Sequence, residues 1–275
     1  MSSLRFRRTE IMSARLLCCL ATVASVVALS AGPVSTTRFQ LDSSGRILVT
    51  VRVDGKAHAF VMDTGTRYTT VSPAVATLLN RKIQELRPGV RTIDDVSLEL
   101  FDIVLPHQPL RLANEQTPGD GIVGAELLKR FVVKVDFRAR RITLWPPSAA
   151  VKTRDAVVVP ADFANDVPVI RATVSAAGMT PSVATLVVGL AVAPGTVSFG
   201  YRYAAESGLL DASPDRELPI ELRGITKAGI VAAARLPREP ERFQLMFADG
   251  VVSARALTAS WIVFDAPHGR IVLGQ

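Results

Sequence analysis

Of the 275 residues only two are cysteine, Cys18 and Cys19, and both fall within the first twenty positions. The rest of the chain has no thiol, which excludes disulfides, thiolate metal sites and cysteine nucleophiles from it. Histidine is almost as scarce: His58, His107 and His268 are scattered without paired spacing, so no metal site is expected. Aromatic residues make up 6% of the chain, and no basic run is interleaved with them. The formal charge of +7 therefore reads as a solvated surface with scattered arginines, and no nucleic-acid partner is expected. A phosphate loop, a dinucleotide fingerprint and a nucleophile elbow are all missing. The one long apolar run, Leu16 to Ala31, falls short of the roughly twenty residues a spanning helix needs.

That run has a different reading. Arg5, Arg7, Arg8 and Arg15 precede it, and it ends in Ala28-Leu29-Ser30-Ala31. A basic start, a short apolar stretch and a small-x-small site predict a secretory signal over residues 1–31, cut near Ser30 or Ala31. Met12 is an alternative start. The mature chain is then periplasmic or secreted; without cleavage the same segment is an inner-membrane anchor. About 245 residues follow the signal, enough for one large or two small cores.

Short runs of Val, Leu, Ile and Thr predict β structure. Residues 46–53 read as a strand, Asp54-Gly55 as a hairpin turn and 57–62 as the returning strand. Ser72-Pro73 opens a short helix over 74–80, and a second helix is expected over 124–130. Further strands are expected at 96–105 and 108–113, with a linker over 145–156. Pro88-Gly89 reads equally well as the tip of a flap hairpin (residues 83–96) and as an ordinary turn.

The most informative stretch is Phe60-Val61-Met62-Asp63-Thr64-Gly65-Thr66, an apolar strand ending in an aspartate and a glycine turn. About sixty residues later come Asp120-Gly121-Ile122-Val123-Gly124-Ala125-Glu126-Leu127-Leu128 and the strands 131–137 and 141–144. Together these segments resemble the retropepsin-like aspartic proteases in their bacterial, signal-bearing form. The resemblance implies that Asp63 is catalytic, that Thr64, Gly65 and Thr66 support its loop, and that Ile122, Val123 and Gly124 pack behind it. It also implies peptide or unfolded protein as substrate and no cofactor.

The second half repeats the first. Asp249-Gly250-Val251-Val252-Ser253-Ala254 matches residues 120–125, and Trp261 to Asp265 matches the strand ending at Asp136, both at an offset of 129. A shared offset over two blocks reads as an internal duplication. Aligning Val197-Ser198 with Val71-Ser72 places Gly189 over Asp63, and Ser253 stands over Gly124. The fold expected is mainly β: two retropepsin-like acid-protease β-barrel lobes with a few short helices. Residues 38–147 form the lobe with the Asp-Thr-Gly motif and residues 157–275 a degenerate copy.

Aspartic proteolysis needs two carboxylates about 3 Å apart that share one proton. One chain supplies one. Two readings follow. The chain is an exported aspartic endopeptidase, weak or dependent on a homodimer that brings two Asp63 residues together, or it is an inactive protease-derived peptide-binding protein. Asp120 and Asp249 precede glycines and read as turn residues, as do Asp136 and Asp265 at strand ends.

Overall fold

The computed structural model describes residues 32–113, 117–151, 154–163, 165–212, 217–237, 247–258 and 260–274. The signal expected over residues 1–31 lies outside the described residues. Among the described residues no helix is long and apolar enough to cross a membrane.

Alternation of apolar and polar residues sets the first hairpin. Ile47, Val49, Val51 and Val53 are buried while Thr50 and Arg52 face out. Asp54 and Gly55 both take positive φ, 47° and 81°, so the turn matches the twist of the strands it joins. The first half runs β1 Ser35–Arg38, β2 Gln40–Leu41, β3 Ile47–Val53, β4 Lys56–Met62 and β5 Thr70–Val71. Helix α1, Pro73–Leu79, is capped by the Ser72 side chain and carries Pro73 in its first turn. Then come β6 Ile83–Arg87, β7 Val90–Leu100, β8 Ile103–Leu112, β9 Gly121–Val123, helix α2 Ala125–Leu128, β10 Val132–Asp136 and β11 Arg141–Trp145.

The second half begins with β12 Ala156–Pro160, β13 Val169–Ser175, β14 Ser182–Gly189 and β15 Thr196–Phe199. Helices α3 Tyr201–Glu206 and α4 Leu209–Ala212 lead to β16 Glu217–Arg223 and β17 Ile230–Arg235. It ends with β18 Gly250–Ser253, helix α5 Ala254–Leu257, β19 Trp261–Asp265 and β20 Arg270–Gly274.

These strands make two barrels of one design. In lobe one the order is β3-β4-β9-β5-β8-β7, closed because β3 also pairs with β7. In lobe two the closed order is β13-β14-β18-β15-β17-β16. The match extends to direction. Strand β4 is parallel to β9 as β14 is to β18, and β5 is parallel to β8 as β15 is to β17. All other ring pairings are antiparallel in both lobes. Closure removes the free edges that an open six-stranded sheet would expose. Lobe one adds β2 and β6 outside its ring, β6 pairing with the start of β7 in a hairpin that turns at Pro88-Gly89.

A third sheet, β1-β11-β10-β19-β20-β12, joins the lobes. Its centre is β10 against β19, where Lys134 pairs with Val263, its own counterpart at the offset of 129. The pairings Val132↔Asp265 and Asp136↔Trp261 are interchanged by the same operation. A pseudo-twofold axis therefore passes through this strand pair.

Two expectations shift. The strand expected at 96–105 crosses a turn, since Phe101 and Asp102 take φ of 53° and 66° between β7 and β8. The apolar pattern continues through that turn because Phe101 is itself buried. The alignment of Val197-Ser198 with Val71-Ser72 also fails. Val71 pairs with Gly121, but Gly250 pairs with Phe199, so the counterpart of Ser72 is Gly200, at an offset of 128. Both Ser72 and Gly200 begin a helix, and their amides bond the carbonyls of Asp120 and Asp249. Lobe two thus carries two extra residues between Gly189 and the next strand.

Candidate active-site loop at the lobe seam

Strand β4 ends at Met62 and delivers Asp63 to the seam between the lobes. The parallel pairing Met62↔Val123 fixes the strand, and the Asp63 amide bonds the Val123 carbonyl at 3.1 Å. Behind the loop, Ile122 pairs with Thr70, Val123 is buried, and the Gly124 amide donates to the Thr69 hydroxyl at 3.0 Å. A Cβ on Gly124 would come within 2.4 Å of the Tyr68 carbonyl carbon, so only glycine fits this close approach. The structure therefore brings Asp63, Thr64, Gly65, Thr66, Ile122, Val123 and Gly124 together as one unit.

Asp63 is 8% exposed, and its carboxylate accepts four hydrogen bonds. From its own loop, the Gly65 amide donates to Oδ1 at 3.0 Å and the Thr66 hydroxyl to Oδ2 at 2.7 Å. The other two come from lobe two. The amides of Leu190 and Ala191 donate to Oδ1 at 3.0 and 3.1 Å. One further bond crosses the seam, from the Thr64 hydroxyl to the Val188 carbonyl at 2.7 Å. The loops meet glycine against glycine: a Cβ on Gly65 would lie 3.2 Å from the Gly189 Cα.

Gly189 stands opposite Asp63. Its pairing with Ser253 is the counterpart of the Asp63–Gly124 position, and a Cβ built on it would lie 3.5 Å from Asp63 Oδ1. Among the described residues, no second carboxylate takes part in the hydrogen bonds or ion pairs of Asp63. Leu190 occupies the place of Thr64 and is buried rather than hydroxyl-bearing.

Sequence reasoning passed over the group that ties the loop from behind. Glu126, in the first turn of α2, accepts the Thr69 amide on Oε1 at 2.6 Å. Its Oε2 is buried with no hydrogen-bond partner among the described residues. Burial pushes the Glu126 carboxyl above its ordinary value, against the lowering effect of its Thr69 bonds and the charge of Arg130. The amides of Ala125 and Glu126 bond the carbonyls of Thr66 and Arg67, so α2 clasps the whole loop. The only sequence signal for this was an acidic residue in the first turn of a short helix.

An ion-pair cluster closes the seam beside the loop. Asp166 of lobe two takes Arg67 Nε at 3.0 Å and Lys129 Nζ from lobe one. Burial acts to raise the Asp166 pKa, but the bonds from Lys129 and Arg67 outweigh it and leave it lowered.

The other aspartates have structural partners. Asp120 and Asp249 play one role twice, each accepting a backbone amide, that of Ala59 or Thr185, at the start of the barrel crossing. Asp136 caps its turn through the Ala139 amide at 2.8 Å. Asp265 does not cap a turn. It is fully buried and pairs across the β19–β20 hairpin with His268 and with Arg270 Nε at 2.6 and 2.7 Å. His58 and His107 each pair with an aspartate as well, Asp120 and Asp95. No group of three metal-ligating side chains occurs among the described residues.

Compared with protein-family models and with curated proteins, the chain matches none.

Proposed function

We propose that this chain is an exported protein of the retropepsin-like aspartic-protease type that binds extended peptide or unfolded protein between its lobes without hydrolysing it. The observation that carries this reading is the pairing of Asp63 with Gly189 across the seam. Hydrolysis of this class needs one carboxylate to activate water and a second to protonate or polarise the scissile carbonyl. A lone carboxylate cannot hold both roles. The two backbone amides of Leu190 and Ala191 also bond the Asp63 oxygen on the side where a partner would stand. A dyad built from two chains would require lobe two to leave this place. That would break both amide bonds, the Thr64–Val188 bond and the Asp166 cluster, and a tethered lobe competes at an effective concentration of about millimolar.

The endopeptidase reading keeps one specific support, the intact Asp63-Thr64-Gly65-Thr66 loop with its Thr66 bond. One experiment separates the two. The full chain, with its mass in solution verified, is mixed at mildly acidic pH with a pool of random peptides, and both retention and cleavage are followed. Retention without new termini is expected. Cleavage that is first order in monomer and lost in Asp63→Asn would establish the endopeptidase instead. A rate growing with the square of concentration would identify the homodimer.

A further inference from the structure

We propose that Arg111, stacked on Tyr68 at the edge of the Asp63 loop, receives an acidic side chain of the bound peptide. The inference rests on the peptide-binding reading and names the ligand chemistry that reading leaves open.

Arg111 lies on β8, and its amide bonds the carbonyl of Thr69, the last residue before β5. Its guanidinium carbon sits 3.1 Å from the centroid of the Tyr68 ring, and Arg67 approaches the same ring at 4.9 Å. Stacking uses a face of the guanidinium and leaves its in-plane N–H edge free, the edge that fits a carboxylate with two parallel bonds. No hydrogen bond or ion pair engages the Arg111 side chain among the described residues, whereas Arg67 beside it is paired.

Among the described residues, no anion is left over for it. Asp166 is shared between Arg67 and Lys129, so two cations already divide one carboxylate. Glu126 is turned inward onto the Thr69 amide, and Asp63 is filled by its four donors. The strand register supplies a second, independent sign. Thr70 on β5 and Thr92 on β7 both pair directly with Arg111, so the three side chains share one face in a row. The hydroxyls of Thr70 and Thr92 are buried, Thr92 being 3% exposed, and neither has a hydrogen-bond partner among the described residues. Unpartnered hydroxyls on both sides of the guanidinium leave the row around Arg111 short of an acceptor among the described residues.

The site is within reach of the same ligand. Tyr68 is five residues from Asp63, so their Cα atoms are at most about 18 Å apart, and an extended peptide covers that in about five residues. A peptide passing Asp63 therefore places a side chain at Arg111 within a few positions.

The test uses the immobilised full chain and a pool of N-acetylated, C-amidated random decapeptides, with retained peptides sequenced by mass spectrometry. Asp and Glu should be enriched about tenfold at one position, as expected for a charge-assisted pair, and the enrichment should fade with added salt. Arg111→Gln should abolish the enrichment while total retention persists; Arg111→Lys, which keeps the charge and loses the fork, should keep only part of it. Unchanged melting of the variants separates loss of the site from loss of the fold. Retention without acidic enrichment, or enrichment that survives Arg111→Gln, overturns this inference alone. Retention of no peptide overturns the peptide-binding reading, and the inference with it.

Discussion

At the scale of the residue, Asp63 behaves as a strut between lobes. Its Oδ1 gathers three amides, two of them from the opposite lobe, and its removal leaves those donors without an acceptor. A buried donor left unpaired costs about 1–3 kcal/mol, so Asp63→Ala should lower stability by at least about 2 kcal/mol in denaturant titration. Asp63→Asn keeps an acceptor for the three amides and should cost under about 1 kcal/mol. An aspartate strained for catalysis behaves in the opposite way, since replacing it relieves the fold. A stabilised Asp63→Ala variant would therefore count against the strut. Glu126 makes a pH prediction. Its folded pKa is raised by burial, so the native state holds the proton to higher pH than the unfolded chain. Stability is then lost as pH rises from the ordinary glutamate value, about 4.3, through the folded one. Below that window the group contributes nothing. Glu126→Gln, which keeps the acceptor for Thr69, should match the wild type near pH 4 and exceed its stability increasingly above it. Equal pH profiles for the two proteins would remove the buried charge from the account.

At the scale of the element, the lobes differ where their loops differ in length. Gly124 has no room for a Cβ, yet Ser253 holds its place in lobe two. In lobe two the Ser253 hydroxyl donates to the Val192 carbonyl, within the stretch that carries the two extra residues, and caps the helix that follows. Gly124→Ala should thus cost about 1–3 kcal/mol through overpacking, whereas Ser253→Gly should cost only a few tenths. Equal costs would mean the loops are not differently spaced. The same contrast explains what the sequence made legible. Blocks 120–125 and 132–136 repeat at an offset of 129 because β9, β10 and their counterparts are buried strands whose alternation cannot slip. The crossover loops carry no such period, so the change to an offset of 128 at Gly200 was invisible and a gapless alignment hid the insertion. Asp63 could be found because an apolar strand ending in Asp-Thr-Gly is a local pattern. The bonds from Leu190 and Ala191 could not, because any residue other than proline supplies a backbone amide. The charge pair of Asp265 with Arg270 lies across the short β19–β20 hairpin, but its burial comes from the sheet packed around that hairpin, which local spacing does not reveal.

At the scale of the whole molecule, two barrels of one topology face each other across a pseudo-twofold axis, and only one of the two paired loops carries a carboxylate. The missing half is four residues, Gly189-Leu190-Ala191-Val192, opposite Asp63-Thr64-Gly65-Thr66. Gly189→Asp alone should fail. Its Cβ would meet the Val192 Cγ2 at 2.8 Å, and the new carboxylate would lack a hydroxyl partner while facing Asp63. That variant should be destabilised and inactive. Replacing the loop together, with Gly189→Asp, Leu190→Thr, Ala191→Gly and Val192→Thr, changes each of these terms. Leu190→Thr supplies the second hydroxyl across the seam, Ala191→Gly permits the tight turn, and Val192→Thr puts a hydroxyl where it can donate to the new carboxylate, as Thr66 does to Asp63. The scaffold on either side already has the required strand directions. The four-residue variant should cleave unfolded peptide at acid pH where the wild type does not, and adding Asp63→Asn should silence it, because neither carboxylate works without the other. A folded variant with no turnover would show that the two extra residues before β15 hold the loops too far out of register for a shared proton. Cleavage that persists after Asp63→Asn would place the chemistry somewhere other than the seam.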